Sequence, residues 1–224
     1  SAIKKEISLR KNEVKEPIKT IYFGGGTPSL LSSSQIREVL NTIVSIKPVS
    51  TNVEITLEAN PEDLNENKLA ELLSVGVNRL SIGVQSLNDD VLHWMNRNHT
   101  SQQGKKAIYL ANKLGFKNIS VDFIYGTPIK INRKWDEELV ELASYPITHL
   151  SAYHLTIEPK TFFDNQLRKG IFEIISQEQS HFEYTKLVDT LRENQLNQYE
   201  VSNFAKEGYN SNHNMSYWQQ KEYL

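Results

Sequence analysis

The chain has 224 residues, 38% of them hydrophobic, with 25 Lys plus Arg against 27 Asp plus Glu and a formal charge of -2. That size suits one α/β domain with a substantial core, and the near-neutral balance excludes a basic field that would gather nucleic acid or an anionic membrane. There is no cysteine, which excludes a disulfide, a thiolate nucleophile and a thiolate-held cluster on these residues. No apolar stretch reaches the roughly 18 to 20 residues of a transmembrane segment. The opening segment is charged rather than signal-like, so the sequence reads as cytoplasmic, with a small molecule or another protein as its partner.

The segment Ala2 to Asn12 sets Ile3, Ile7 and Leu9 at helical spacing, so the chain opens on a helix. From there short β-rich runs alternate with longer amphipathic segments, the pattern of βα units around a parallel sheet. Five strands are predicted, over residues 20–24, 53–58, 79–85, 119–125 and 149–155, with helices near residues 34–46, 65–74, 102–114 and 134–144 between them. Each gap is long enough for a crossover. A further helix over residues 177–193 and a strand over residues 198–204 precede a polar, aromatic end. A strand expected ahead of the first is missing. The fold class is therefore α/β, built around a parallel sheet.

Alternation along the strands separates two faces. Val53, Ile55 and Leu57 oppose Glu54, Thr56 and Glu58; Leu80, Ile82 and Val84 oppose Arg79, Ser81, Gly83 and Gln85; Ile119, Val121 and Phe123 oppose Ser120 and Asp122. A polar inner face is costly unless water or a ligand satisfies it, so the interior is expected to hold a polar ligand.

Gly24, Gly25, Gly26 and Thr27, followed by Pro28, end the first strand, where absent side chains let a ligand approach backbone N–H groups. The run matches neither a P-loop nor the dinucleotide fingerprint, and a plain tight turn is the alternative. Glu58 and Gln85 end consecutive strands and Asp122 lies near the end of the next, on the rim where barrel enzymes bind substrates; the alternative is that each caps a turn or helix. Arg97 follows the third strand, where a guanidinium could hold a carboxylate bidentately or simply be solvated. His93, His99, His149, His154 and His181 show no metal-ligand spacing and are assigned no catalytic role. Near the end, His213, Tyr217 and Trp218 crowd an imidazole and two large rings into six positions. On a helix His213 and Tyr217 would share a face, able to meet a flat aromatic ligand or simply to pack on the barrel.

Four segments taken together, Tyr22-Phe23-Gly24-Gly25-Gly26-Thr27-Pro28-Ser29, Glu58-Ala59-Asn60-Pro61, residues 78–86 and residues 122–128, resemble in order and spacing the radical S-adenosylmethionine core of the oxygen-independent coproporphyrinogen III oxidase family. The resemblance implies an incomplete parallel (β/α) barrel of the radical S-adenosylmethionine type over residues 1–158, followed by the beginning of the family's C-terminal extension over residues 159–224. It also implies that Gly25, Gly26 and Thr27 cradle the methionine end of S-adenosylmethionine, that Arg97 meets its carboxylate, and that Glu58, Gln85 and Asp122 contact its methionyl and ribose groups. Residues 198–206, followed by His213-Asn214-x-x-Tyr217-Trp218, resemble the heme-handling HemW branch. That implies heme or porphyrin as a ligand of His213, Tyr217 and Trp218, with a heme-receiving protein as a possible partner. The family holds a 4Fe-4S cluster on a C-x-x-x-C-x-x-C loop after its first strand, so the chain is expected to lack that strand and loop and to be inactive without them. Ile129 and Lys130 stand where the family often carries Gly and Gln. Oxidative decarboxylation of coproporphyrinogen III and a non-catalytic, metabolite-binding barrel remain the alternatives.

Overall fold

The computed structural model describes residues 2–128, 131 and 133–224. The departure from the family pattern at Ile129 and Lys130 lies outside the described residues. The chain runs α1 (Ala2–Leu9), β1 (Ile18–Phe23), α2 (Ser33–Ile46), β2 (Val49–Ala59), α3 (Glu66–Ser74), β3 (Arg79–Gln85), α4 (Asp89–Trp94), α5 (Ser101–Leu114), β4 (Asn118–Tyr125), α6 (Trp135–Ser144) and β5 (His149–His154). It continues through α7 (Phe162–Arg168), α8 (Gln177–Glu193), β6 (Asn197–Gln198), β7 (Asn203–Ala205) and α9 (Asn212–Trp218). The described strands form one sheet in the order β1-β2-β3-β4-β5-β7-β6, so hydrogen bonds do not close it into a barrel.

From β1 to β5 each strand pairs in parallel with the next, as the βα alternation requires. Beyond β5 the sheet becomes mixed, because β7 pairs antiparallel with both β5 and β6. The strand expected over residues 198–204 is thus corrected to a hairpin. Tyr199, Val201 and Phe204 give that stretch strand-like composition, but the Tyr199 N–H donates to the Asn203 carbonyl at 3.1 Å and the Ser202 N–H to Glu200 Oε1 at 2.9 Å, folding the chain back. The sequence reading also left out the short helices α4 and α7, each six or seven residues long.

The helix starts follow side-chain chemistry. Ser32 with Gln35 and Thr100 with Gln103 form capping boxes, and Gly115, at φ 109°, ends α5 in the left-handed conformation that a side chain would disfavour. The apolar faces of the strands, with Leu57, Leu80, Ile82, Ile119, Val121 and Phe123, join Ile36, Leu69, Leu72, Ile108, Leu139 and Leu142 of the helices in one buried core. Each such side chain contributes about 1.5–3 kcal/mol, which fixes the strand register and therefore what faces the other way.

What faces the other way is polar. Tyr22, Thr56, Arg79 and Asn118 stand in register on adjacent strands; Glu58, Ser81, Ser120 and His149 form the next row, and Asp122 pairs with Ser151 and Ser151 with Asn203 beyond it. Arg79 is 2% exposed, and its Nε finds no hydrogen-bond partner among the described residues, nor do Thr56 Oγ1, Asn118 Oδ1 and Asn203 Oδ1. No helix among the described residues is long and apolar enough to cross a membrane.

Candidate functional site

At the C-terminal ends of β1 to β4 the polar rows open into a cleft of about 190 Å³ lined by Gly26, Thr27, Glu58, Gln85, Arg97 and Asp122, among others. The structure therefore brings together six of the residues singled out in the sequence, and Gly25 adjoins them through its N–H, which donates to Glu58 Oε2 at 3.1 Å. Glu58 caps no helix. Its other oxygen accepts the Tyr22 hydroxyl at 2.7 Å, which holds the carboxylate against the glycine turn.

The turn itself is open. Gly25 and Gly26 have φ of 75° and 64°, and a Cβ at either would meet nothing within 4 Å, so backbone lines the cleft there with free space before it. Gly24 is different, since a Cβ there would lie 2.5 Å from the Tyr22 ring and 3.0 Å from Glu58 Oε1. Gln85 ends β3 with φ 65°, a left-handed conformation costing a non-glycine residue about 1 kcal/mol or more, and its Nε2 would lie 2.9 Å from a Cβ on Gly83. The following turn is braced by Glu138 of α6, which accepts the Ser86 hydroxyl at 2.5 Å and the Leu87 N–H and pairs with Arg133.

Charge is unevenly satisfied around the cleft. Asp122 accepts the Ser81 hydroxyl at 3.1 Å; burial pushes its carboxyl up to about 6, while that hydrogen bond and the Arg79 charge pull it back down. The Arg97 side chain makes no hydrogen bond or ion pair to a described residue, and burial lowers its pKa against the opposing pull of Glu62 and Asp122. An unpaired guanidinium beside two carboxylates complements a small zwitterion.

His213 and Tyr217 form a separate group one layer below. Both lie on α9, with rings edge-on at 5.0 Å, while Trp218 is 64% exposed and its ring stacks on neither. The Glu54 carboxylate, 5% exposed on the inner face of β2, accepts the backbone N–H groups of Asn212 and His213, both at 3.0 Å. His213 Nδ1 lies 3.0 Å from Thr20 Oγ1 and its ring stacks on Tyr22, leaving Nε2 without a hydrogen bond to a described residue. Burial lowers the pKa of this imidazole, which favours the neutral, ligating form.

The histidines given no catalytic role include two that are structural. His149 bridges Ser120 Oγ and the Tyr199 hydroxyl, each at 2.8 Å, and His99 Nε2 lies 3.0 Å from the Val84 carbonyl. Sequence reasoning did not single out Tyr22, Glu54, Arg79 or Glu138; the polar alternation of β2 and β3 placed Glu54 and Arg79 on the right face, but nothing local names their partners.

Residues 2–145 match the family model of the radical SAM superfamily. The chain belongs to that superfamily. Among curated proteins this radical SAM chain is 39% identical over 208 residues to the heme chaperone HemW of Bacillus subtilis, covering 92% of this chain and 55% of that protein. It is 37% identical over 219 residues to the mitochondrial radical S-adenosyl methionine domain-containing protein 1 of Danio rerio, covering 98% and 49%. The chain thus spans about half the length of the curated relatives it matches. The coproporphyrinogen III oxidase HemN of Escherichia coli, a radical SAM enzyme, shares the fold with a TM-score of 0.81 at 23% identity, over 97% of this chain and 50% of that one. With no cysteine in the chain, and no group of three or more metal-ligating side chains among the described residues, these residues provide no ligand set for an iron-sulfur cluster.

Proposed function

We propose that this chain forms the S-adenosylmethionine-binding and heme-binding part of a HemW-like heme chaperone. The observation that carries the heme reading is the setting of His213. Thr20 takes its Nδ1, the Glu54 carboxylate fixes its backbone, and Nε2 is left free, the arrangement in which an imidazole is oriented to donate to iron. Tyr217 lies beside it and Trp218 is exposed next to it, and both rings would cover a porphyrin face. The relatives at 35–39% identity that bear the heme chaperone name support the same reading. Delivery then calls for a heme-receiving protein.

The cleft suits the amino acid end of S-adenosylmethionine. Arg97 would take its carboxylate, Glu58 its ammonium, and the Gly25–Thr27 turn would pass close along the methionine backbone, with Gln85 and Asp122 left for the ribose hydroxyls. When bound, the cofactor would supply a methyl sulfonium centre. A cluster to reduce it would have to be held by cysteines outside these residues, and no step through one follows from this chain.

Hemin titration of the cluster-loaded product of the whole gene, together with an assay of that product for protoporphyrinogen formation from coproporphyrinogen III, tests the reading. Saturable hemin binding through His213 without porphyrinogen turnover is the expected result; turnover would assign the protein as an oxidase instead.

A further inference from the structure

Tyr22 sits on the inner face of β1 between the cleft and α9, and it touches both. Its hydroxyl donates to Glu58 Oε1 at 2.7 Å, and the other oxygen of Glu58 accepts the Gly25 N–H at 3.1 Å. Its ring lies almost flat on the His213 imidazole, with centroids 4.7 Å apart and planes 20° apart. The close approach of Tyr22 to Gly24 confines the ring on a further side, where a Cβ would come within 2.5 Å. Burial, reinforced by the bond to Glu58, holds the phenol well above its ordinary pKa, so it stays a donor wherever the fold persists. Tyr22 thus joins the Glu58 carboxylate to the His213 imidazole through one hydrogen bond and one stacked ring.

We propose that Tyr22 is a positioning residue shared by the cleft and the His213 helix, so that a cationic ligand drawing Glu58 toward itself alters the seat of the imidazole. The naming of the two ligands rests on the function proposed above; the link between Glu58 and His213 is a property of these side chains alone. By linkage, whatever factor the cleft ligand imposes on binding at His213, a ligand at His213 imposes on the cleft.

The test is a double-mutant cycle read on the side-chain nitrogen resonances of His213 in protein labelled with ¹⁵N-histidine. Glu58→Gln is expected to move the His213 signals in the wild-type background and to leave them in place in the Tyr22→Phe background, with exposed His181 unmoved in both. Equal shifts in both backgrounds, or no shift in the first, would overturn the link. If Glu58→Gln does not fold, Glu58→Asp, whose shorter side chain withdraws the carboxylate from the Tyr22 hydroxyl, carries the same cycle and is expected to move the His213 signals in the wild-type background and not in the Tyr22→Phe background. Equal shifts in the two backgrounds, or none in the first, would again overturn the link. Wild-type titrations with S-adenosylmethionine and hemin separate the two claims. Failure of both ligands to bind removes the proposed function and leaves the link standing, whereas binding of both with an additive cycle does the reverse.

Discussion

The Glu54 carboxylate accepts the His213 backbone N–H at 3.0 Å across 159 positions of sequence, fastening α9 to the inner face of β2. Its other oxygen takes the neighbouring Asn212 N–H, so both lone-pair faces are used by backbone donors at the start of the helix. Glu54→Ala leaves two N–H groups without their acceptor and should cost about 2 kcal/mol or more. The denaturant midpoint should fall with little change in slope, and amide exchange should quicken at Asn212 and His213 well before it does in β3. Unchanged exchange in α9 would show that the helix is held by its rings alone.

The glycine turn is expected to separate two costs. Gly25→Ala meets no neighbour but places a side chain at φ 75°, a penalty of about 1 kcal/mol. Gly24→Ala drives a methyl into the Tyr22 ring, and relief by moving that ring breaks the bond to Glu58, so about 1–3 kcal/mol is expected. Thermal melts of the two variants compare them directly; equal losses would mean the Tyr22 ring gives way freely.

Asp122 sets a pH dependence whose sign follows from burial. Its carboxyl rises from 3.8 to about 6 in the folded chain, so between those values the folded state keeps a proton that the unfolded state has released. Stability contributed by this group is therefore present at low pH and is lost as pH rises to about 6, by at most about 3 kcal/mol and less where cleft water screens it. Asp122→Asn should raise the melting temperature at about pH 8 and flatten the decline between those values. A variant less stable than wild type at that pH would show that Arg79 fully compensates the charge.

Much of this architecture can be read from the sequence, because β2, β3 and β4 alternate and their apolar residues are claimed by helices with clear caps. The cleft was readable for the same reason: Glu58, Gln85 and Asp122 fall at strand ends on the polar side. What was not readable depends on partners distant in the chain. Glu54 looks like any second carboxylate of β2 until α9 returns to it, and Arg79 is a strand residue like its neighbours until the fold encloses it. The hairpin at residues 197–205 was hidden because Tyr199, Val201 and Phe204 favour extended backbone on both sides of a turn that contains neither glycine nor proline.

Arg97 is expected to matter for binding far more than for folding, since its side chain satisfies no described group. Arg97→Ala in cluster-loaded product of the whole gene should weaken S-adenosylmethionine binding by about tenfold or more, the worth of a charged hydrogen bond at a partly dry site, and leave the melting temperature nearly unchanged. Calorimetry giving wild-type affinity would remove Arg97 from the site.

Heme ligation by His213 is tested most directly by hemin titration of wild type, His213→Ala and His181→Ala, followed through the Soret band. His181 is exposed on α8 and serves as the control for adventitious ligation. The expected result is a Soret shift and a loss of affinity of about tenfold or more for His213→Ala, with His181→Ala indistinguishable from wild type. Identical spectra and affinities for wild type and His213→Ala would contradict the assignment and leave the ring cluster of α9 a packing feature.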